Sequence, residues 1–276
     1  MDKIIDFEQM IFGSSTEFKY IDVHENEFLV NCFIKRTKIR AFQLEDTVDL
    51  CKKYLFDKQF RQNLLIECSL RAPVLVHRLY RANYYSLDEI IGESRKKDRL
   101  LFCYYFKKNL NDFEDLIQEH NYNSTIDMTP YNDDEFLELA IEYGFHPTSI
   151  EYCIKYDELG SLNKILQNPL LKNVIEVEWS IFEWITKPAC LDLLAFAGYY
   201  GSIKCFRQLM LCGYVIDNEV KRNVICSGSN DLIRIIQPDS LEFKNVFYAV
   251  EYCHPEIVQF MCESNGTVNI TDSNGS

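Results

Sequence analysis

The sequence predicts an all-α fold, a helical-repeat solenoid preceded by a helical N-terminal region, and three observations carry that prediction. Apolar residues recur at helical spacing from about Glu45 onward. Glycine and proline are scarce, with 10 and 7 in 276 residues. In the second half, one pattern of apolar positions returns at steps of 27 and 25 residues. A β-sandwich or barrel needs a turn every 8–12 residues or so, more breaks than these glycines and prolines supply. Hydrophobic residues make up 47% of the chain, including 19 Phe and 17 Tyr, which is ample for a packed core and excludes bulk disorder.

Along the chain, residues 1–44 are the least defined. Phe18 to Val23 alternates like a strand, and Glu27 to Ile34 fits either strand or helix, because short apolar runs do not separate the two. From Glu45 the pattern is helical: Val48, Cys51, Tyr54 and Leu55 share one face, and Leu64, Leu65 and Cys68 continue on a second segment. Ser86-Leu87-Asp88-Glu89 has the form of a capping box, in which serine and glutamate each satisfy a free backbone N–H. Thr148-Ser149-Ile150-Glu151 repeats that form. Asn-rich and Asp-rich breaks at 109–112, 121–125 and 131–134 separate helices of about 8–12 residues, a pattern that predicts helical hairpins stacked in a row. Residues 45–129 are thus read as a helical N-terminal region, and 130–276 as repeats.

The repeats are read from turn positions. Before Gly201 stand Ala197 and Gly198, and after it Cys205, Phe206 and Leu209. Around Gly228 the corresponding residues are Val224 and Ile225, then Leu232, Ile233, Ile235 and Ile236. Around Cys253 they are Ala249 and Val250, then Ile257, Val258, Phe260 and Met261. A weaker copy has Ile154 before Glu158 and Leu162, Ile165 and Leu166 after it, and Leu139 to Gly144 echoes the first half of the unit. Each unit reads as a helix, a tight turn and a second helix. No single pair buries its apolar face alone, so neighbouring pairs must stack.

Residues 190–212, from Cys190-Leu191-Asp192-Leu193-Leu194-Ala195 through Gly201 to Cys212, resemble an ankyrin repeat: an apolar helix ending in two small residues, two variable positions, glycine, then a second helix with paired apolar residues. The tail, Ser264-Asn265-Gly266 followed by Val268 to Gly275, looks like the loop between ankyrin repeats, which leads into Thr-Pro-Leu-His. Here the chain stops at Ser276, so the resemblance implies a fragment, or a chain cut short before a more regular array. No Thr-Pro-Leu-His occurs in the chain, and the steps are shorter than the family's ~33 residues. Such Phe/Tyr/Asn-rich units look like the uncharacterised ankyrin-like domain common in large protist ankyrin-repeat proteins. The resemblance covers about residues 130–276.

The resemblance implies a non-enzymatic scaffold or adaptor that binds protein partners through a concave surface formed by the two positions before each turn. Those positions are Tyr199 and Tyr200, Cys226 and Ser227, and Glu251 and Tyr252, with Glu142 and Tyr143 earlier. The partner-binding residues expected from this are Glu142, Tyr143, Tyr199, Tyr200, Glu251 and Tyr252. The competing reading packs the tyrosines between adjacent first helices and leaves the groove unused. Two other functions stay open: a structural spacer supporting a further C-terminal array, and an enzyme with an unrecognised helical active site.

Charge and motifs narrow the choice. Residues 1–120 hold 20 acidic and 19 basic groups, and the remainder hold 22 and 10. An acidic second half repels phosphate backbones, so no nucleic-acid partner is expected, and a partner with a basic surface suits it better. The basic runs at 35–40 and 95–99 read as solvated helix ends or loops. The start, Met1 to Asp6, is charged and lacks the apolar core of a signal peptide. The longest apolar stretch, Leu100 to Phe106, is far short of the ~20 residues a membrane span needs. Eleven cysteines, an odd number, fall on apolar helical faces (Cys103, Cys205, Cys253), as reduced thiols in a cytoplasmic protein do. No C-x-x-C, no phosphate-binding glycine loop and no H-E-x-x-H occurs, so no metal, cofactor, catalytic residue or small-molecule substrate is expected. His77 reads as a satisfied packing residue. His146-Pro147 and His254-Pro255 read as helix openings, and Asp133-Asp134-Glu135 as a helix start whose charge complements the dipole.

Overall fold

The computed structural model describes residues 26–39, 44–94, 100–120, 131, 133–167, 177, 180, 182–183, 192–236, 245–252 and 254–265. Among these the chain is all-helical, with no strand. The first helices are α1 (Asn26–Ile39), α2 (Leu44–Lys52), α3 (Lys58–Arg71), α4 (Pro73–Arg81), α5 (Leu87–Ser94), α6 (Leu100–Tyr105), α7 (Phe113–His120) and α8 (Asp134–Tyr143). They are followed by α9 (Ile150–Lys155), α10 (Leu159–Leu166), α11 (Leu193–Tyr200), α12 (Ile203–Leu211), α13 (Asn218–Ser227), α14 (Asn230–Ile235), α15 (Val246–Glu251) and α16 (Pro255–Asn265). Glu27 to Ile34 is therefore helical, inside α1. The strand-like reading of Phe18 to Val23 lies outside the described residues.

The chain divides into two compact units, residues 1–142 with 181–186, and residues 143–180 with 187–276. In the first, α1 packs on α2, α3 on α4 and α5 on α6. Across these pairs, α3 touches both α1 and α5, and α4 touches both α2 and α6. The result is two rows of helices around a core of Phe33, Phe60, Leu64, Leu75, Leu79, Phe102 and Phe106, all fully buried. The turn between α3 and α4 is one residue long. Ala72, at φ −153° and ψ 58°, donates its N–H to Cys68, and Pro73 opens α4 where no N–H is required.

The second unit repeats this scheme. The first helices α9, α11, α13 and α15 touch in succession, each packs on its own second helix (α10, α12, α14, α16), and α10 also touches α12. The sequence of α11, Leu-Leu-Ala-Phe-Ala-Gly-Tyr-Tyr, is apolar on every side. That suits a helix enclosed by α9, α12 and α13, and seven of its eight residues are buried. Gly198 lets α13 come close: a Cβ there would lie 3.1 Å from Val224 Cγ2 and 3.5 Å from the Val220 carbonyl. In α12 only Cys205, Phe206 and Leu209 are buried, so that helix is amphipathic. Burying a ring such as Phe196 or Phe206 is worth about 1.5–3 kcal/mol relative to leaving it exposed.

Left-handed turns set the hairpin geometry. Gly201 and Gly228 adopt φ of +69° and +71°. The same turn occurs at Asp157, with φ of +55°, so the weaker copy turns one residue earlier than the Glu158 the pattern marks. Aspartate tolerates this region better than most residues, which is why no glycine signals it. In that register Cys153 and Ile154 align with Ala197 and Gly198 and with Val224 and Ile225, and all six are buried. The residue after the turn closes a Schellman bond to the carbonyl five residues back: Glu158 to Cys153 (2.8 Å), Ser202 to Ala197 (3.0 Å) and His254 to Ala249 (2.8 Å). The turn at Cys253 itself lies outside the described residues.

Capping signals hold with one shift. Ser86 and Glu89 form the reciprocal box, with Ser86 N–H donating to Glu89 Oε2 at 2.8 Å and Glu89 N–H to Ser86 Oγ at 3.3 Å. Asp133 caps α8 by accepting from Phe136 N–H at 2.7 Å. At the third signal the cap is Ser149, accepting from Tyr152 N–H at 3.1 Å, not Thr148. That moves Glu151 out of reach of a box and into the interior. His254-Pro255 opens α16 directly, whereas His146-Pro147 leads into a turn ahead of α9.

Gly228 is constrained twice, by its φ and by the His254 ring, whose Cε1 would lie 2.3 Å from an added Cβ. Gly213 has φ of +97° and nothing within 4 Å. Both alanine variants incur the left-handed penalty of about 1–2 kcal/mol. Gly228→Ala is expected to lose roughly a further 1–3 kcal/mol through overpacking. Urea unfolding followed by circular dichroism checks this, and equal losses at the two sites would exclude the His254 contact as the reason for Gly228.

Candidate functional site

Stacking the first helices places the residues before each turn in one row. Its members are Lys155 and Tyr156, Tyr199 and Tyr200, Cys226 and Ser227, and Glu251 and Tyr252. The row is held by backbone contacts between hairpins. Ser202 Oγ donates to the Ile154 carbonyl, and His254 Nε2 lies 2.8 Å from the Cys226 carbonyl. The Asp157 carboxylate accepts from the N–H groups of Cys205 (2.9 Å) and Lys204 (3.3 Å), capping the next hairpin's second helix. Helix C-termini that would otherwise leave carbonyls unsatisfied are thereby tied to the following repeat.

Aromatic contacts run along the row. Tyr143 meets Tyr152 and Tyr156 edge-to-face at 5.6 and 6.2 Å, and Tyr152 lies 4.6 Å from Tyr156. The Lys155 ammonium donates to the Tyr143 carbonyl at 2.8 Å and lies 5.5 and 5.9 Å from the ring centroids of Tyr156 and Tyr200. It thus links α9 to α11 through cation–π geometry. Tyr200 packs on Phe196 and Tyr199, and Tyr199 meets Tyr252 at 6.4 Å.

Exposure divides the six residues the sequence singles out. Tyr199 and Tyr252 are buried, at 8% and 6%, so they pack between hairpins as the competing reading has it. Tyr143 and Tyr200 are half-buried, and Glu251 is exposed. Glu142 does not join the row. Its carboxylate accepts from Arg78 Nη1 at 2.8 Å and pairs with Arg81, and its carbonyl accepts from Arg78 Nη2 at 2.9 Å, all within the first unit. Burial works to raise the Glu142 pKa, but the hydrogen bonds and charges of Arg78 and Arg81 outweigh it and hold the carboxyl below its usual range. Lys155 and Tyr156 are the members that the sequence pattern passes over, and Tyr152 packs beside them from one turn earlier in α9. Tyr156 is the most exposed tyrosine of the cluster, at 44%. The signal for them is the turn at Asp157, which a register centred on Glu158 conceals.

Other reactive groups are turned inward. None of the nine described cysteines is in a disulfide, and seven of them are buried. Burial is the main cause that pushes Cys103 and Cys226 each up to about 12, so these thiols stay protonated. Among the described residues no group of three His, Cys, Asp or Glu side chains is placed to hold a metal, and no helix is long and apolar enough to cross a membrane. A scan of family models, a search of curated proteins and a search of solved structures each found no match to the chain.

His77, on α4, packs as expected, its ring 5.4 Å from Tyr105 and 5.6 Å from Phe106. It is not satisfied, however, since its buried Nδ1 has no hydrogen-bond partner. Burial first, then the charges of Arg78 and Arg81, lower its pKa to about 4 against the pull of Glu142. The unfolded chain takes up this proton near pH 6.5 and the folded chain near 4. Between those values the unfolded state binds more protons, so stability is full above 6.5 and is lost as pH falls toward 4. The expected loss is on the order of 3 kcal/mol. Urea midpoints at pH 7.5 and 5 should differ in the parent and converge in His77→Phe, and an unchanged difference would assign the effect to other groups.

Proposed function

We propose that this chain is a non-enzymatic, ankyrin-like helical-repeat protein whose second unit forms a solenoid and binds protein partners along its pre-turn row, as a scaffold or adaptor. The observation that carries the reading is the partly exposed line of Tyr143, Tyr152, Lys155, Tyr156 and Tyr200 on packed helices. Tyrosines held by their neighbours offer large contact area for little loss of side-chain entropy, and they anchor many interfaces. Residues 121–276 carry an excess of acidic groups, 22 against 10 basic, which favours a partner with a basic surface. Buried thiols outside any disulfide suit a reducing cytoplasmic setting. No cofactor, metal, nucleic acid or small-molecule substrate enters this reading. Because Tyr199 and Tyr252 are buried, Tyr156 and Tyr200 are the residues through which it is tested.

A photo-cross-linking phenylalanine analogue placed at Tyr200, and separately at Arg234 on the outer helix α14, gives a direct check in cell extract. The expected result is a discrete cross-linked protein from position 200 that Tyr156→Ala weakens at least several-fold, with none from position 234. No product from position 200, or the same product from both positions, would reject the row as the binding surface.

A further inference from the structure

The open end of the row in the second unit holds two groups of rings on neighbouring helices. On α9, Tyr156 packs against Tyr143 and Tyr152; on α11, Tyr200 packs against Phe196 and Tyr199. Lys155, the last residue of α9, reaches both groups. Its ammonium donates to the Tyr143 carbonyl at 2.8 Å and stands 5.5 Å from the Tyr156 ring centroid and 5.9 Å from that of Tyr200. The Tyr143 carbonyl lies where the chain leaves a helix through Gly144, at φ +83°, beyond the reach of the helix's own N–H groups. Lys155 and the Tyr156 hydroxyl, at 3.4 Å, converge on that carbonyl instead. An ammonium anchored there is within range to attract both rings. An aromatic side chain as exposed as Tyr156, at 44%, otherwise exchanges rotamers on the picosecond-to-nanosecond scale.

We propose that Lys155 is the positioning residue of the row, a role that rests on the row being the binding surface proposed above. Its ammonium, fixed on the Tyr143 carbonyl, holds Tyr156 of α9 and Tyr200 of α11 in one arrangement, and a partner reads that arrangement. The role needs charge and reach together. A guanidinium supplies both, since it donates to a carbonyl and stacks over a ring. Methionine is an unbranched side chain with neither the charge nor the donors. Without the ammonium, a partner must order both rings itself, and that cost is taken from its affinity.

In the full chain, 3-fluorotyrosine at position 200 reports the ring without any partner, because the change in its fluorine shift between H2O and D2O measures exposure to solvent. Lys155→Met is expected to enlarge that change while the thermal midpoint stays within about 2 °C of the parent. Lys155→Arg is expected to restore it. A photo-cross-linking phenylalanine analogue at Glu251, an exposed member of the row on α15, reports binding in cell extract with both rings intact. Its cross-linked product is expected to fall roughly five- to tenfold in Lys155→Met and to recover in Lys155→Arg. A solvent effect at position 200 that is the same in the parent and Lys155→Met overturns the proposal, as does a loss of product that Lys155→Arg leaves in place. A midpoint that falls further in Lys155→Met assigns the residue to the cohesion of the unit and overturns it too. A parent that gives no product from position 251 rejects the row as the binding surface, while the fluorine measurement still decides whether Lys155 holds the rings.

Discussion

Two hairpins of the second unit, those opened by α9 and α13, depend on the next hairpin to satisfy the end of their first helix. A helix that stops in a left-handed turn leaves carbonyls pointing past its C-terminus, and a buried carbonyl without a donor is costly. The Schellman bond closes one of them within the hairpin. The others are met from the next hairpin, by Ser202 at Ile154 and by His254 at Cys226. Asp157 works in the same direction, capping α12 from the preceding turn. Polar satisfaction and apolar stacking therefore fix the same register, and a slip of one hairpin against another would break both together. Gly228 marks where this register brings the His254 ring too close for a Cβ, and Gly198 where the Val224 side chain would have to give by a few tenths of an ångström.

That register also decides which side chains are left to interact with anything else. The small polar residues beside the turns are consumed by backbone groups. Before the turns at Asp157, Gly201 and Gly228 the residues four and three places back are buried, whereas before the last turn Ala249 is buried and Val250 is exposed. The two positions before each turn stand at the edge of the stack, and their burial varies from one turn to the next. Tyr199 and Tyr252 close over the stack between them, while Tyr156 and Tyr200 stay partly open with Lys155 between their rings. The row is held by helices on packed cores and not by loops, so its rings have little freedom to lose on binding.

Much of this was legible in local sequence, and the misses have definite causes. Gly201 and Gly228 announce their turns because a left-handed residue is normally glycine, and Ser86 and Asp133 announce caps because their partners lie three residues away. Asp157 and Ser149 each lie one position from where the sequence pattern puts the turn and the cap: aspartate can take a glycine's conformation, and Thr148 and Ser149 are both competent caps, so only the backbone decides. Glu142 fits the register of the row but belongs elsewhere. Its partners, Arg78 and Arg81, lie 64 and 61 residues upstream, and no local periodicity reports a pairing at that distance. The burial of Tyr199 and Tyr252 is likewise a property of spacing between hairpins. The packing of His77 could be read from its apolar flanks; the lack of a partner for its Nδ1 could not.

The two units use one scheme of helix rows and place their polar side chains oppositely. In the first, long charged and aromatic side chains reach inward. Arg36 donates to Thr47 across α1 and α2, Arg61 bonds Glu89 and the Tyr84 carbonyl, and Arg78 holds Glu142. These contacts join elements that are distant in sequence, and a partly buried guanidinium that loses its carboxylate is costly to leave unpaired. In the second unit much of that joining is done by short side chains and backbone, with Lys155 adding a link from α9 to α11. A unit whose large polar groups are spent on its own cohesion has little left to offer a partner. The second unit is held together largely by backbone, caps and apolar stacking, and the proposed interaction surface is drawn on its partly exposed Tyr156 and Tyr200.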